Sequence, residues 1–289
     1  MIIGTRDSML AMKQTDIFVE AVRRKNPDVR FEIKPMKSSG DLDLSAPLDQ
    51  LQGFGAFVRE LDAALLSKEI DVSVNSMKDM PVVMPKGLCV AAVLKRADAR
   101  DVILPKNLDE LRSGAVIGTS SIRRRAELLA MRPDLTPIPL RGNIQTRLSK
   151  LDSGEYDAII LAKAGLDRLA VNREMYELSL DTFIPAPAQG AIAVVCRSDD
   201  SESLSTASAV DDTVTRKEVT LERDVMRAIG AGCSSPVGIN ALVGNDGIRF
   251  RAISFEGRTI PVRLDMTVPY DYTENDVRMI SDRLKEVSP

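Results

Sequence analysis

Short apolar runs alternate along the chain with longer stretches in which apolar residues recur at helical spacing. Runs at Ile2-Ile3, Phe31 to Met36, Val72 to Val74, Val90 to Leu94, Val102 to Leu104, Val116 to Gly118, Ile159 to Ala162 and Ala191 to Cys196 predict strands. Helices are predicted between them, from about Met9 to Arg24, Phe57 to Leu66, Ser121 to Met131 and Asn143 to Asp152. The first would bury Leu10, Ile17 and Ala21. The third would bury Ile122, Ala126 and Leu129, with Arg123 and Arg125 beside the apolar stripe and Arg124 opposite it. The fourth would bury Ile144, Leu148 and Leu151, with Gly154 as its C-cap. Alternation of this kind predicts an α/β fold with mixed, mostly parallel sheets. From about Val210 the pattern changes to a long helix (Thr213 to Ile229), alternating strands (Ile239 to Val243, Ile248 to Ser254) and a last helix (Glu274 to Val287). That predicts a small α+β C-terminal domain. The polar stretch from Lys37 to Gln52, followed by Gly53-Phe54-Gly55, is long for a loop in a compact domain and reads as a lid.

Composition narrows the function classes. With 44% hydrophobic residues the 289-residue chain can bury ordinary cores, and two or three domains are expected. Histidine is absent, which excludes His triads, His general bases and His metal sites. Cys89, Cys196 and Cys233 are far apart and form no Cys-x-x-Cys pair. A disulfide framework and a zinc site are therefore not expected, and a reducing cytosol is. No apolar stretch reads as a leader or a membrane span. A net charge of -3 argues against a general nucleic-acid or membrane binder. The charge is uneven, however. Between Ser120 and Lys150 seven basic residues (Arg123, Arg124, Arg125, Arg132, Arg141, Arg147, Lys150) face only Glu127 and Asp134, a local +5. A positive site on an acidic body suits a small anionic ligand.

Three strand-to-helix junctions share one design: Gly4-Thr5-Arg6-Asp7-Ser8, Gly118-Thr119-Ser120-Ser121-Ile122-Arg123-Arg124, and Leu140-Arg141-Gly142-Asn143 ahead of Arg147. Helix N-termini at the carboxyl ends of strands offer free N–H groups to anions, and arginine adds a fork that fits a carboxylate. Each junction also admits a plainer reading, with Ser120 or Ser121 and Asn143 as N-caps and the arginines in solvent. Asp79 in Ser76-Met77-Lys78-Asp79 follows another strand. It is either a general acid/base or a turn residue paired with Lys78. Cys233, after Gly230-Ala231-Gly232, either carries a covalent adduct or is a small buried apolar residue.

Taken in order, these segments resemble the porphobilinogen deaminase (hydroxymethylbilane synthase) family over nearly the whole chain. Further matching segments are Asn75-Ser76-Met77-Lys78-Asp79-Met80-Pro81, Leu140-Arg141-Gly142-Asn143-Ile144-Gln145-Thr146-Arg147-Leu148, Gly154-Glu155-Tyr156-Asp157-Ala158-Ile159, Pro187-Ala188-Gln189-Gly190-Ala191 and Gly232-Cys233-Ser234-Ser235-Pro236-Val237-Gly238. The resemblance implies two lobes of the periplasmic-binding-protein type. The first would comprise residues 1–94 and 189–208 and the second, Arg-rich lobe residues 95–188, with a cofactor-attachment domain over 209–289. It implies a transferase of tetrapyrrole biosynthesis that joins four porphobilinogen units head to tail, releases ammonia at each addition, and frees hydroxymethylbilane by hydrolysis. The implied cofactor is a dipyrromethane, made from two porphobilinogen units and linked by a thioether to Cys233. Asp79 matches the catalytic carboxylate. Arg6, Ser8, Lys78, Ser120, Ser121, Arg123, Arg124, Arg141 and Gly142 match cofactor-binding positions. Arg6, Arg141, Arg147, Arg168 and Gln189 match substrate-binding ones. No metal, nucleic acid or membrane is implied, and a cytoplasmic monomer is expected. Three residues depart from the family pattern: Asn75 stands for His, Phe54 for Lys and Ala188 for Gly. Two rivals remain, a non-catalytic carboxylate-binding protein on the same lobes and a nucleic-acid binder using the Arg-rich helix. The second is opposed by a 4% aromatic content.

Overall fold

The computed structural model describes residues 1–37, 58–232, 235–258 and 260–286. In chain order the strands are β1 (Ile2–Arg6), β2 (Glu32–Met36), β3 (Val72–Ser76), β4 (Leu88–Val93), β5 (Asp101–Leu104), β6 (Val116–Gly118), β7 (Thr136–Ile138), β8 (Ala158–Ala162), β9 (Tyr176–Glu177), β10 (Ile192–Arg197), β11 (Val237–Gly244), β12 (Gly247–Ser254) and β13 (Val262–Val268). They form two five-stranded sheets and one three-stranded sheet. The chain divides into two compact units, Met1–Ala97 with Gly190–Lys217, and Asp98–Gln189 with Glu218–Pro289.

The first unit holds the sheet β2-β1-β3-β10-β4. β1 is parallel to β2 and β3, whereas β10 runs antiparallel to both β3 and β4. All six residues of β10 are buried, as expected of a Val/Ile-rich strand between two neighbours. The second unit repeats the arrangement as β7-β6-β8-β5-β9, with β5 as the antiparallel strand. In each sheet four strands run one way and a single strand, β10 or β5, runs against them, so both are mixed and mostly parallel, as the periodicity predicts. In each, the antiparallel strand is the one the chain lays down directly after passing from one unit to the other, so it enters against the local direction. The second unit also holds the antiparallel meander β11-β12-β13. The helix Glu274–Lys285 packs on it through buried Ile280 and Leu284. The α/β lobes and the α+β region are therefore as the periodicity predicts.

Two helix faces differ from expectation. The helix Met9–Lys25 buries Ala11, Gln14, Thr15, Phe18, Val19 and Val22, a face turned from Leu10, Ile17 and Ala21. Phe18 and Val22 anchor it in the core with Ile3, Val72 and Val74. Its two polar members are satisfied, because Gln14 donates to Ser76 Oγ at 2.8 Å and Thr15 to the Ala11 carbonyl at 3.0 Å. The helix Ile122–Met131 buries Arg123, Arg124, Glu127 and Leu128, while Ile122 is 44% exposed. The helix Ile144–Asp152 follows the predicted pattern. Leu148 is buried, Ile144 and Leu151 pack against the same cluster, and Gly154 has φ +77° just beyond the end. The helix predicted from Phe57 is seen over Arg59–Leu66, and Phe57 lies outside the described residues, as does the stretch from Ser38 to Gln52.

Ala188 takes φ +59°. Its N–H donates to the buried Glu222 carboxylate at 2.5 Å. A left-handed conformation costs a non-glycine residue roughly 1–2 kcal/mol, partly offset by the greater freedom of glycine in the unfolded chain. Ala188→Gly is expected to raise the thermal midpoint by about 2 °C, whereas most glycine substitutions lower it. A fall in the midpoint on thermal melting would remove the strain argument.

Candidate functional site

In the first unit, β1 and β3 are parallel neighbours, so their carboxyl ends share one edge of the sheet. Arg6 ends β1, and Ser8 caps the helix Met9–Lys25 by accepting from the Ala11 N–H at 3.3 Å. β3 runs into a one-turn 3-10 segment, Met77–Asp79. Buried Met77 holds that turn down, its N–H donating to the Ala191 carbonyl at 3.1 Å, and Met80 N–H closes it onto the Met77 carbonyl at 3.2 Å. Lys78 and Asp79 are left half-buried on a pinned turn, at the same edge as Arg6 and Ser8. Asn75 is buried, and its side-chain amide donates to Ser73 Oγ at 2.9 Å, so it braces β3. Phe54 lies outside the described residues.

In the second unit, the carboxyl ends of β6, β7 and β8 form the corresponding edge. Ser120 follows β6. Its hydroxyl donates to the Leu140 carbonyl at 2.8 Å and accepts from the Leu140 N–H at 3.0 Å, clasping the segment that carries Arg141. Ser121 caps the helix Ile122–Met131, and Asn143 caps Ile144–Asp152 through Thr146 N–H at 2.9 Å. The plainer capping reading therefore holds for Ser121 and Asn143 but not for Arg123 and Arg124, which are buried rather than in solvent. Gly142 has φ +109°, and a Cβ there would lie 2.7 Å from Thr146, so the position admits glycine alone. Arg147 Nε donates to the Gly142 carbonyl at 2.7 Å. Arg168 closes the helix Lys163–Arg168 that follows β8.

Arg141 and Arg168 carry the electrostatic signature of this edge. Arg141 Nη2 is buried with no hydrogen-bond partner among the described residues. Burial pulls the Arg168 guanidinium down to about 10, and the adjacent Asp167 only partly opposes it. A buried guanidinium nitrogen without a partner among the described residues, as in Arg141, favours an arriving carboxylate.

Arg123 and Arg124 behave differently. They are 4% and 7% exposed, and both turn inward onto Asp101, which is fully buried at the start of β5. Arg123 Nη2 donates to Asp101 Oδ2 at 2.7 Å, and its Nη1 reaches Glu127 Oε1 at 2.9 Å and the Ile184 carbonyl at 2.8 Å. Arg124 donates to Asp101 Oδ1 through Nη2 at 2.6 Å and Nε at 3.1 Å, and to the Ile160 carbonyl through Nη1 at 2.9 Å. Gln189 joins them, its Nε2 donating to Asp101 Oδ1 at 2.9 Å and to the Ala99 carbonyl at 2.8 Å. Burial works against the Asp101 carboxylate, but Arg124 and Arg123 more than reverse it and hold its pKa well below the usual range. Burial pushes Glu127 up to about 7, because Arg123 is shared and compensates it less fully. The structure thus gathers three of the expected ligand-binding residues around one internal anion. Sequence reasoning missed Asp101 and Glu127. The available signal was an acid opening an otherwise apolar strand and another four residues after Arg123.

Cys233 lies outside the described residues. Among those described, no group of three or more His, Cys, Asp or Glu could hold a metal ion, and no helix is long and apolar enough to cross a membrane.

Residues 1–205 match the family model described as "Porphobilinogen deaminase, dipyromethane cofactor binding domain". A porphobilinogen deaminase of Bacillus cereus is 43% identical over 258 residues, covering 87% of this chain and 84% of that protein. A porphobilinogen deaminase of Bacillus thuringiensis is 44% identical over the same shares. Among solved structures, an ancestral cationic amino acid solute binding protein aligns with TM-score 0.45 at 14% identity, over 80% of this chain and 90% of that one. The VFT2 domain of Bordetella pertussis BvgS aligns with TM-score 0.43 at 12% identity, over 77% and 89%. Those two values are too low to bear on function. The sequence matches bear on it directly: across most of its length, this chain belongs to the porphobilinogen deaminase family.

Proposed function

We propose that this chain condenses porphobilinogen units head to tail, releasing ammonia at each addition, and frees hydroxymethylbilane by hydrolysis. Porphobilinogen bears an acetate and a propionate, so a growing chain brings many carboxylates to one protein. The observation that carries this ligand class is the buried Nη2 of Arg141, which has no hydrogen-bond partner among the described residues, set beside the Cβ-intolerant Gly142. A covalent dipyrromethane fits the same donor set. Arg141, the Gly142 backbone, Ser120 and Ser121 are cofactor-binding residues in this reading, as are Arg6, Ser8 and Lys78. Its attachment point is Cys233. When bound, the group supplies the pyrrole to which the first substrate is joined.

Asp79 is the catalytic carboxylate of this reading. Its negative charge offsets the cation that develops on substrate as the aminomethyl nitrogen leaves, and its oxygen accepts the pyrrole proton after coupling. Arg147, Arg168 and Gln189 are substrate-binding residues in the same scheme. Arg123 and Arg124 hold their place on the cofactor side through Asp101, with whichever N–H edges the internal pairing leaves. We further read the chain as three domains (1–94 with 189–208, 95–188, and 209–289) and the protein as a cytoplasmic monomer without a nucleic-acid partner.

The test is the intact mass of purified protein from a host that makes porphobilinogen. An adduct of dipyrromethane mass is expected on the wild type and absent from Cys233→Ser. An unmodified wild-type chain that yields no hydroxymethylbilane from porphobilinogen would sink the reading.

A further inference from the structure

We propose that Cys89 and Cys196 form a thiol pair that small disulfides oxidise to an intramolecular cross-link. The two residues are 107 apart in sequence yet lie directly opposite each other in the antiparallel pair β4–β10. Both thiols are free, and their Sγ atoms are 3.8 Å apart. Opposed residues of an antiparallel pair have Cα atoms about 4.5–5.5 Å apart, inside the span a disulfide bridges. The sulfurs must approach by roughly 2 Å, a movement within reach of side-chain rotation.

The two thiols have different surroundings, and these assign the order of steps. β4 is an edge strand, and Cys89 is only half-buried there, packed against the rim of the core cluster that encloses Cys196. β10 lies between β3 and β4, and Cys196 is buried in the core with Val72, Val194 and Ala207. Burial, with Cys89 beside it, pushes the Cys196 thiol up to about 12. Cys89 therefore attacks first. Its thiolate displaces one thiolate from a glutathione-type disulfide, leaving a mixed disulfide on Cys89. Cys196 then loses its proton, attacks the Cys89 sulfur and displaces the second thiolate. Two protein thiols and one small disulfide become one protein disulfide and two small thiols.

The consequence follows from connectivity. The closed loop runs from residue 89 to residue 196 and contains the whole of Asp98–Gln189, the first segment of the second unit. The bond would fasten the returning strand β10 to β4 of the first unit's sheet. Cys196 is paired with Val72 at the start of β3, and Asp79 follows the end of β3, so the cross-link and the candidate acid lie toward opposite edges of that sheet. The proposal stands whether or not the catalytic reading does.

The experiment incubates the purified holoprotein with oxidised glutathione and maps peptides without reduction. The expected result is a peptide joining Cys89 to Cys196, an intact mass lower by two hydrogens, and an unfolding midpoint about 10 °C higher, reversed by a dithiol. Cys89→Ser and Cys196→Ser should each melt at the same temperature with and without oxidant. A stable Cys89–glutathione adduct that never resolves, two unreacted thiols, or a link that leaves the midpoint unchanged would each overturn the proposal.

Discussion

Asp79→Asn is expected to lower turnover of porphobilinogen by about 10²–10⁴-fold, the range usual for loss of a positioned acid or base. The substitution keeps the shape of the side chain and removes its charge. The turn that carries Asp79 is held by backbone bonds from Met77 and Met80, which the change leaves intact. Its unfolding midpoint should stay within about 2 °C of wild type. The dipyrromethane mass should also remain on the protein. Steady-state rates, intact mass and a melting curve on one preparation settle the matter. Near-normal rates on a loaded enzyme would take Asp79 out of the mechanism.

Asp101→Asn is expected to cost about 3–5 kcal/mol of stability, because it strips the counter-charge from two buried guanidiniums. Arg123 keeps Glu127 as a partner, whereas Arg124 loses its only acidic partner seen among the described residues. The native Asp101 carboxyl lies well below its ordinary value of 3.8. The sign of the pH dependence follows. Its contribution is present above the unfolded value and is lost progressively as pH falls from there toward the lower native value. Glu127, pushed up to about 7 beside the same Arg123, titrates between pH 7 and pH 5, so the comparison is made below pH 5, where the gap between wild-type and variant melting temperatures should narrow as the solution becomes more acid. A gap that widens as pH falls below 5 would contradict the assignment. Turnover should fall as well, since Gln189 and both arginines lose their shared anchor.

Most of the architecture is legible in the periodicity because the sheets are built from short Val- and Ile-rich runs bounded by turns. What is not legible has particular causes. β7, written Thr136-Pro137-Ile138, and the two-residue β9 are too short and polar to register as strands. The face of the helix Ile122–Met131 is misjudged because apolar periodicity assumes an apolar interior. Here the interior is ionic, and Asp101 draws Arg124 inward while Ile122 is left out. The candidate site divides in the same way. Asp79, Arg141 and Gly142 sit in loops at strand ends, where residue type and position announce a ligand. Asp101 sits inside a strand, where an acid looks like a boundary. The facing of Cys89 and Cys196 depends on the register of β10 against β4, which no local spacing encodes.

The placement of β10 also bears on how the protein is made. β3 and β4 are complete once residue 93 has left the ribosome, but the strand that joins them begins at Ile192. At roughly 5–20 residues per second, synthesis of the intervening segment takes on the order of ten seconds. Throughout that interval the inner edges of β3 and β4 are unpaired, and the first sheet cannot close. The second unit's five-stranded sheet, whose last strand ends at Glu177, meets no such delay. Vectorial synthesis therefore favours closure of the second sheet first, although the first begins at the N-terminus. The open edges of β3 and β4 mark where a nascent chain is most exposed to pairing with a neighbour on the same message.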